Sequence, residues 1–131
     1  MFPEPPSLAV MDVSFISIKL ILPAAFRVLG KHGRMISLVK PQFEAGRANI
    51  GKGGIVSRRA AHVEVLSSIV GFAETLGWRV RALDYSPITG GDGNIEFLAD
   101  MVPASAEIPI PEPANISRLV DQAHAAMKSI K

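Results

Sequence analysis

The sequence contains no cysteine. That absence excludes a disulfide scaffold, cysteine-ligated zinc, an iron–sulfur centre and thiol catalysis. No apolar run approaches the roughly 18–20 residues that a membrane span needs. The first residues, Met1-Phe-Pro-Glu-Pro-Pro6, carry neither the basic nor the apolar region of a signal peptide. A cytoplasmic protein with no membrane role is the expectation. Net charge is small: 14 bases against 12 acids give +2, which by itself does not argue for nucleic acid. What the chain does have is apolar material. Hydrophobic residues make up 48% of its 131 positions and charged residues 20%, enough for one domain with one core and too apolar for disorder.

The charge is unevenly placed. Arg27 to Arg59 holds eight bases (Arg27, Lys31, Arg34, Lys40, Arg47, Lys52, Arg58, Arg59) and one acid, Glu44, a local charge of +7. Asp84 to Asp121 holds seven acids and one base, Arg118, a local charge of −6. A strongly basic segment suggests a polyanion partner, because phosphate neutralisation dominates nucleic-acid affinity. The alternative is that these bases pair with the acidic half.

Hydrophobic periodicity predicts the order β-α-β-loop-α-β-β-α. Residues 7–13 read as a buried strand with Asp12 near its carboxyl end. Residues 17–29 read as a buried helix that either kinks at Pro23 or begins near it. Residues 35–40 form a second strand, stopped by Pro41. A glycine-rich loop with Gly46, Gly51, Gly53 and Gly54 follows. Residues 62–76 carry the apolar stripe of an amphipathic helix ended by Gly77. Residues 78–85 and 94–101 are strands joined by the turn 86–93, most simply antiparallel. A last helix is expected with Asn115 as its N-cap and Ile116, Leu119, Val120, Ala123, Met127 and Ile130 on one face. Alternating strands and helices imply a parallel sheet with crossover helices. Function in open α/β sheets sits at the carboxyl strand ends, where Asp12 and Lys40 fall. His32, His62 and His124 are far apart with no metal-ligand spacing and read as structural. Trp78 reads as packing.

Two motifs are weak alone. Gly46-Arg-Ala-Asn-Ile-Gly-Lys-Gly53 has the spacing of a phosphate-binding loop, but Gly53 stands where a Ser or Thr would hold magnesium. The next helix also begins some ten residues too late to meet a phosphate. A basic glycine-rich loop that moulds onto a substrate backbone is the better reading. Asp12-Val-Ser-Phe15 has the spacing of the (Asp/Asn)-Pro-Pro-aromatic motif of amino-group methyltransferases without its prolines.

The combination is more specific. Leu8-Ala-Val-Met-Asp-Val-Ser-Phe-Ile-Ser17, Leu38-Val-Lys-Pro-Gln-Phe-Glu-Ala-Gly-Arg47, Gly51-Lys-Gly-Gly-Ile-Val56 and Ser86-Pro-Ile-Thr-Gly-Gly-Asp-Gly-Asn-Ile-Glu-Phe-Leu98 occur in this order. Together they resemble the hemolysin A-like branch of the FtsJ-like RNA ribose 2′-O-methyltransferases, from about Leu8 to Met101. The resemblance implies an α/β, partial Rossmann-like S-adenosylmethionine-dependent methyltransferase fold: the C-terminal half of the sheet, its last strand antiparallel. Residues 1–102 would be the partial domain, and 103–131 a Pro-rich linker and a helix packed on it. The family's Lys-Asp-Lys-Glu tetrad maps by position onto Asp12, Lys40 and Glu96 as catalytic residues. Asp12, Ser14 and Phe15 would contact the cofactor. Glu44, Arg47, Lys52, Arg58 and Arg59 would contact the substrate, ribosomal RNA. The first Lys, the cofactor's glycine-rich loop, the acid that holds its ribose and an S4-like RNA-binding domain have no counterpart in these residues. Arg58-Arg59 also departs from the family's Arg-Asp-Pro.

The chemistry suits these residue types. A ribose 2′-hydroxyl attacks a sulfonium methyl as its proton is drawn off, and a lysine amine can take that proton. Carboxylates hold amine and hydroxyl in line, while favouring the charged amine, so a lone Lys40 between Asp12 and Glu96 should stay protonated; the tetrad's first Lys, which opposes this effect, has no counterpart here. The expected cut edge, Ala9 to Val13, would pair with another chain, a second polypeptide completing the sheet or a second copy. The competing reading is a non-catalytic remnant acting as an RNA- or protein-binding module. A membrane-active hemolysin is disfavoured, since no basic amphipathic helix of the required kind is present.

Overall fold

The computed structural model describes residues 6–90, 93–105, 107, 109 and 111–130, without the side chains of 128–130. The arm of residues 1–5, positions 91–92 of the turn and the Ile130 side chain lie outside the described residues. The strands are β1 (Leu8–Met11), β2 (Arg34–Val39), β3 (Trp78–Tyr85) and β4 (Phe97–Pro103). They form one sheet in the order β1-β2-β4-β3. β1 runs parallel to β2, and β4 runs antiparallel to both β2 and β3. The expected α/β half-sheet with its last strand reversed is therefore present, with β4 slotted between its neighbours. The register pairs Val39 with Phe97. Lys40, just after β2, and Glu96, just before β4, thus leave the sheet side by side.

The helices are α1 (Leu22–Leu29), α2 (Pro41–Glu44), α3 (Arg59–Thr75) and α4 (Pro113–Ile130). Their ends differ from the periodicity reading for identifiable reasons. Residues 17–29 are not one helix: a 3-10 turn, Ile18–Leu20, precedes α1, which carries Pro23 in its first turn. Proline lacks an N–H, which costs nothing in a first turn and breaks a bond deeper in a helix. α3 begins three residues before His62. It ends at Thr75, and Gly77 just beyond, with a φ of +76°, reverses the chain at little cost. α4 opens on Pro113, two residues before the expected cap Asn115. β4 starts at Phe97 rather than Asn94, because the Asn94 side chain is drawn to the loop before α3. β1 spans only the four residues that β2 pairs.

The pleat places Met35, Ser37 and Val39 of β2 and Phe97, Ala99 and Met101 of β4 on one buried face. Leu22 and Phe26 of α1, Leu66 and Ile69 of α3, and Val120 and Ala123 of α4 close over it. Fully burying a leucine, isoleucine or phenylalanine contributes about 1.5–3 kcal/mol, so this layer sets the stability. Trp78 stacks on Phe26 with ring centroids 4.1 Å apart, which fixes α1 against the start of β3 and makes it core packing, as expected.

Among the described residues the opposite face is partly open, most of all at β1. Val10 is 74% exposed, and its register neighbour Ile36 is half-buried beside it, with Leu38 and Leu98 paired further along the same side. Asp100 sits on this face between Arg34 (2.9 Å) and Arg81 (2.7 Å). Among the described residues β1 has β2 as its one strand partner. No helix among the described residues is long and apolar enough to cross a membrane.

The basic segment does not form one face. Arg27, Lys31 and Arg34 lie at the amino end of β2, whereas Lys40, Arg47, Lys52, Arg58 and Arg59 follow its carboxyl end. Six residues of strand, about 20 Å at 3.3 Å per residue, separate the two groups.

Candidate active site

β1 and β2 deliver Asp12 and Lys40 to the same end of the sheet. The Lys40 ammonium pairs with the Asp12 carboxylate and donates to Ser14 Oγ at 3.0 Å. The Lys40 side chain is 13% exposed and that of Asp12 58%. An ion pair with one solvated partner contributes only about 0–1 kcal/mol, so the pair orients a lysine amine more than it stabilises the fold. The 3-10 turn that follows is capped by Ser17, whose Oγ accepts from the Lys19 amide at 3.1 Å. Glu96 stands next to Lys40 in register, and its carboxylate accepts from Gln42 Nε2 at 3.4 Å. Gln42 Oε1 is buried without a partner among the described residues, a cost of about 1–3 kcal/mol. Sequence reading gave Gln42 no role, although it lies two residues beyond Lys40.

Phe15 has φ +73°, and its ring is 87% exposed. A bulky residue in the left-handed region costs about 1–3 kcal/mol and persists where its surroundings over-determine it. The Phe43 ring lies 5.3 Å away, tilted by 51°. A carboxylate, a hydroxyl and an exposed aromatic face therefore sit together just past β1.

The five expected substrate residues divide. Glu44 is occupied by the fold: its carboxylate accepts from Ser17 Oγ at 2.5 Å and from the Ile18 amide at 2.8 Å, which ties α2 to the 3-10 turn. Arg59 is occupied as well, its guanidinium binding Asp121 and Ser117 of α4. That guanidinium holds the Asp121 carboxyl below the usual carboxylate range by hydrogen bonding. Arg47 and Lys52 are exposed on the glycine-rich loop, in short 3-10 turns. Arg58 is exposed and donates to Asn49 Oδ1 at 3.0 Å. Gly53 and Gly54, at φ +75° and +78°, give this loop its shape.

Two histidines that are far apart in sequence meet. His62 Nδ1 lies 2.7 Å from His124 Nε2, and His62 Nε2 lies 2.8 Å from the Val56 carbonyl. A carbonyl only accepts, so Nε2 of His62 carries the proton. In the neutral ring Nδ1 then accepts from His124. Burial pushes the His62 pKa down, opposed by the Val56 hydrogen bond and assisted by His124. A depressed folded-state value means that the unfolded chain binds the proton first. Stability from this ring is therefore present above about pH 6.5 and lost as pH falls through the folded-state value. Urea midpoints should accordingly decline below about pH 6.5 in the wild type and less steeply in His62→Gln. No group of three or more potential metal ligands occurs among the described residues.

Comparison with known proteins bears on this geometry. A family model described as FtsJ-like methyltransferase matches residues 1–102. "Putative rRNA methyltransferase YqxC" of Bacillus subtilis is 44% identical over 131 residues, covering 96% of this chain and 46% of its own length. "Hemolysin A" of Brachyspira hyodysenteriae is 39% identical over 99 residues, covering 76% and 41%. "16S/23S rRNA (cytidine-2′-O)-methyltransferase TlyA" of Mycobacterium tuberculosis is 36% identical over 90 residues, covering 69% and 34%. A solved structure described as a putative hemolysin from Streptococcus thermophilus superposes with a TM-score of 0.88 at 47% identity, covering 95% of this chain and 45% of that one. The chain thus spans less than half the length of these relatives.

Proposed function

The chain belongs to the FtsJ-like methyltransferase family, and on that premise we propose that it forms the substrate-side half of a domain that methylates ribose 2′-hydroxyls in ribosomal RNA. The observation that carries this reading is Lys40, held by Asp12 and Ser14 beside Glu96 at the carboxyl end of the sheet. The name of the Mycobacterium tuberculosis relative, a cytidine-2′-O-methyltransferase of ribosomal RNA, supports the choice of substrate.

Asp12, Ser14 and Phe15 suit one side of S-adenosylmethionine: a carboxylate and an exposed ring face both favour a cation such as a sulfonium. When bound, that cofactor supplies an electrophilic methyl group. As the free amine Lys40 would accept the ribose proton from O2′, with Asp12 fixing its position; the ammonium must first give its own proton to solvent, a loss that a neighbouring cation outside these residues would favour. Glu96, oriented by Gln42, accepts a hydrogen bond from the ribose and keeps O2′ in line. Arg47, Lys52 and Arg58 hold the RNA backbone through its phosphates. Arg59 and Glu44 serve this surface indirectly, by anchoring α4 and α2.

The remaining wall of the cofactor site comes from outside these residues. Cofactors of this class are gripped by a glycine-rich turn after a first strand and by an acid near a second, and the sequence contains no match for either. The open edge of β1 and the partly open face around Val10 and Ile36 are where that other half, in the same or another polypeptide, completes the sheet. The same exposed edge makes self-association the expected behaviour of the 131 residues alone. The expectation for this polypeptide is no tight cofactor binding and no methyl transfer. Calorimetry with S-adenosylmethionine and a radiolabelled transfer assay on ribosomal RNA measure both. Micromolar binding with turnover would mean that the 131 residues are a complete enzyme and the half-domain reading is wrong.

A further inference from the structure

The glycine-rich loop belongs to no strand, yet one residue at its exit is held through both backbone groups. The Val56 amide donates to Asn94 Oδ1 at 2.9 Å, and the Val56 carbonyl accepts from His62 Nε2 at 2.8 Å. Asn94 Nδ2 also donates to the Gly54 carbonyl at 3.1 Å. The Gly51 amide closes the loop onto the Ile55 carbonyl at 2.8 Å. His62 is held in turn by His124 of α4. Val56, His62 and Asn94 are all buried. One connected path therefore runs from α4 through α3 into the loop and on to Asn94, two residues before Glu96.

We propose that Asn94, His62 and His124 are positioning residues: they lock the glycine-rich loop in the shape that presents Arg47, Lys52 and Arg58 to RNA, and protonation of the histidine pair releases it. This rests on the RNA-contact reading of the loop. A glycine-rich loop left free samples many backbone states, so its bases would meet a phosphate backbone in register only part of the time. The lock removes that freedom before RNA arrives. Protonation of both rings undoes it, because His62 Nδ1 and His124 Nε2 are then both donors facing each other and both rings are cationic. Among the described residues, the charged groups near the pair are Asp121 from α4 and, through it, Arg59 from α3, while β4 offers the uncharged ring of Phe97. His124 lines a cavity of about 440 Å³ with Ser57 and Thr89, which gives solvent protons a route to the pair.

The test combines amide hydrogen exchange of residues 51–57 with binding of a ribosomal RNA fragment, for the wild type, His124→Leu, Asn94→Ala and His62→Gln. His124 is only half-buried, so His124→Leu keeps the fold even if the other variants lose it. The lock predicts at least about tenfold faster exchange of the Val56 and Gly51 amides in His124→Leu and Asn94→Ala at pH 7. RNA affinity should fall by about five- to tenfold in both, at an unchanged salt slope, because the phosphate contacts themselves remain. Wild-type loop protection should decline as pH falls through the lowered value of His62. His62→Gln, whose amide can still donate to Val56 but does not titrate, should keep its protection there. Loop exchange that matches wild type in His124→Leu and Asn94→Ala overturns the proposal, as does a decline in His62→Gln equal to that of wild type. If exchange responds as predicted while the wild type shows no salt-dependent RNA binding, the lock stands and the RNA reading of the loop falls.

Discussion

Lys40→Met should lower methyl transfer by about 10²- to 10⁴-fold, the usual contribution of a general base, when the 131 residues are joined to the preceding portion of a relative. Methionine keeps the unbranched stem and nearly the length of lysine, yet it can neither accept a proton nor pair with Asp12. The fold should survive, since an ion pair with an exposed partner is worth about 1 kcal/mol or less and the Asp12 carboxylate is already solvated. Melting temperature then separates lost chemistry from lost structure. Lys31→Met is the matched control, because Lys31 is exposed beyond α1 at the opposite end of the sheet. Initial rates on ribosomal RNA for the two variants decide it: equal rates would remove Lys40 from the chemistry.

The second large effect concerns salt. Arg47, Lys52 and Arg58 are the exposed bases of the loop region, and replacing all three with alanine should remove three phosphate contacts. Counterion release puts the loss in slope at about 2–3 log units of affinity per decade of salt. Between 50 and 200 mM salt, wild-type affinity should therefore drop by roughly 20- to 40-fold more than that of the triple variant. Arg27→Ala with Lys31→Ala, at the other end of the sheet, should leave the slope alone. Arg59→Ala should act differently again, loosening α4 through the loss of Asp121 and Ser117. Titrations of a fluorescent ribosomal RNA fragment at several salt concentrations measure all three, and equal slopes for wild type and the loop variant would eliminate this surface.

Local pattern made the half-sheet legible. The apolar runs at Leu8, Met35 and Trp78, the stripe on α3 and the glycine stops each depend on neighbours a few residues apart, and all of them became elements. Asp12 and Lys40 were legible as strand-end neighbours because parallel strands share their carboxyl ends, whereas Glu96 entered through the family resemblance. What stayed hidden depends on contacts between distant residues. Nothing local says that Glu44 caps a turn 26 residues earlier, or that His62 and His124 meet across 62 residues. Asn94 has the composition of an ordinary turn residue, and only its two bonds to the loop show why β4 starts late. The charge count could not show how the bases divide: a strand in the middle of the +7 segment carries its two halves to opposite ends of the sheet.

The central claim is that this half-domain places Lys40 for proton removal from a ribose hydroxyl. The most direct measurement joins the 131 residues to the preceding portion of the Bacillus subtilis relative, supplies S-adenosylmethionine, and analyses nucleosides from the treated ribosomal RNA by mass spectrometry. The account predicts 2′-O-methylribose with the wild-type half and about 1% of that yield or less with Lys40→Met. A methyl group on a base, or undiminished ribose methylation by Lys40→Met, would contradict it.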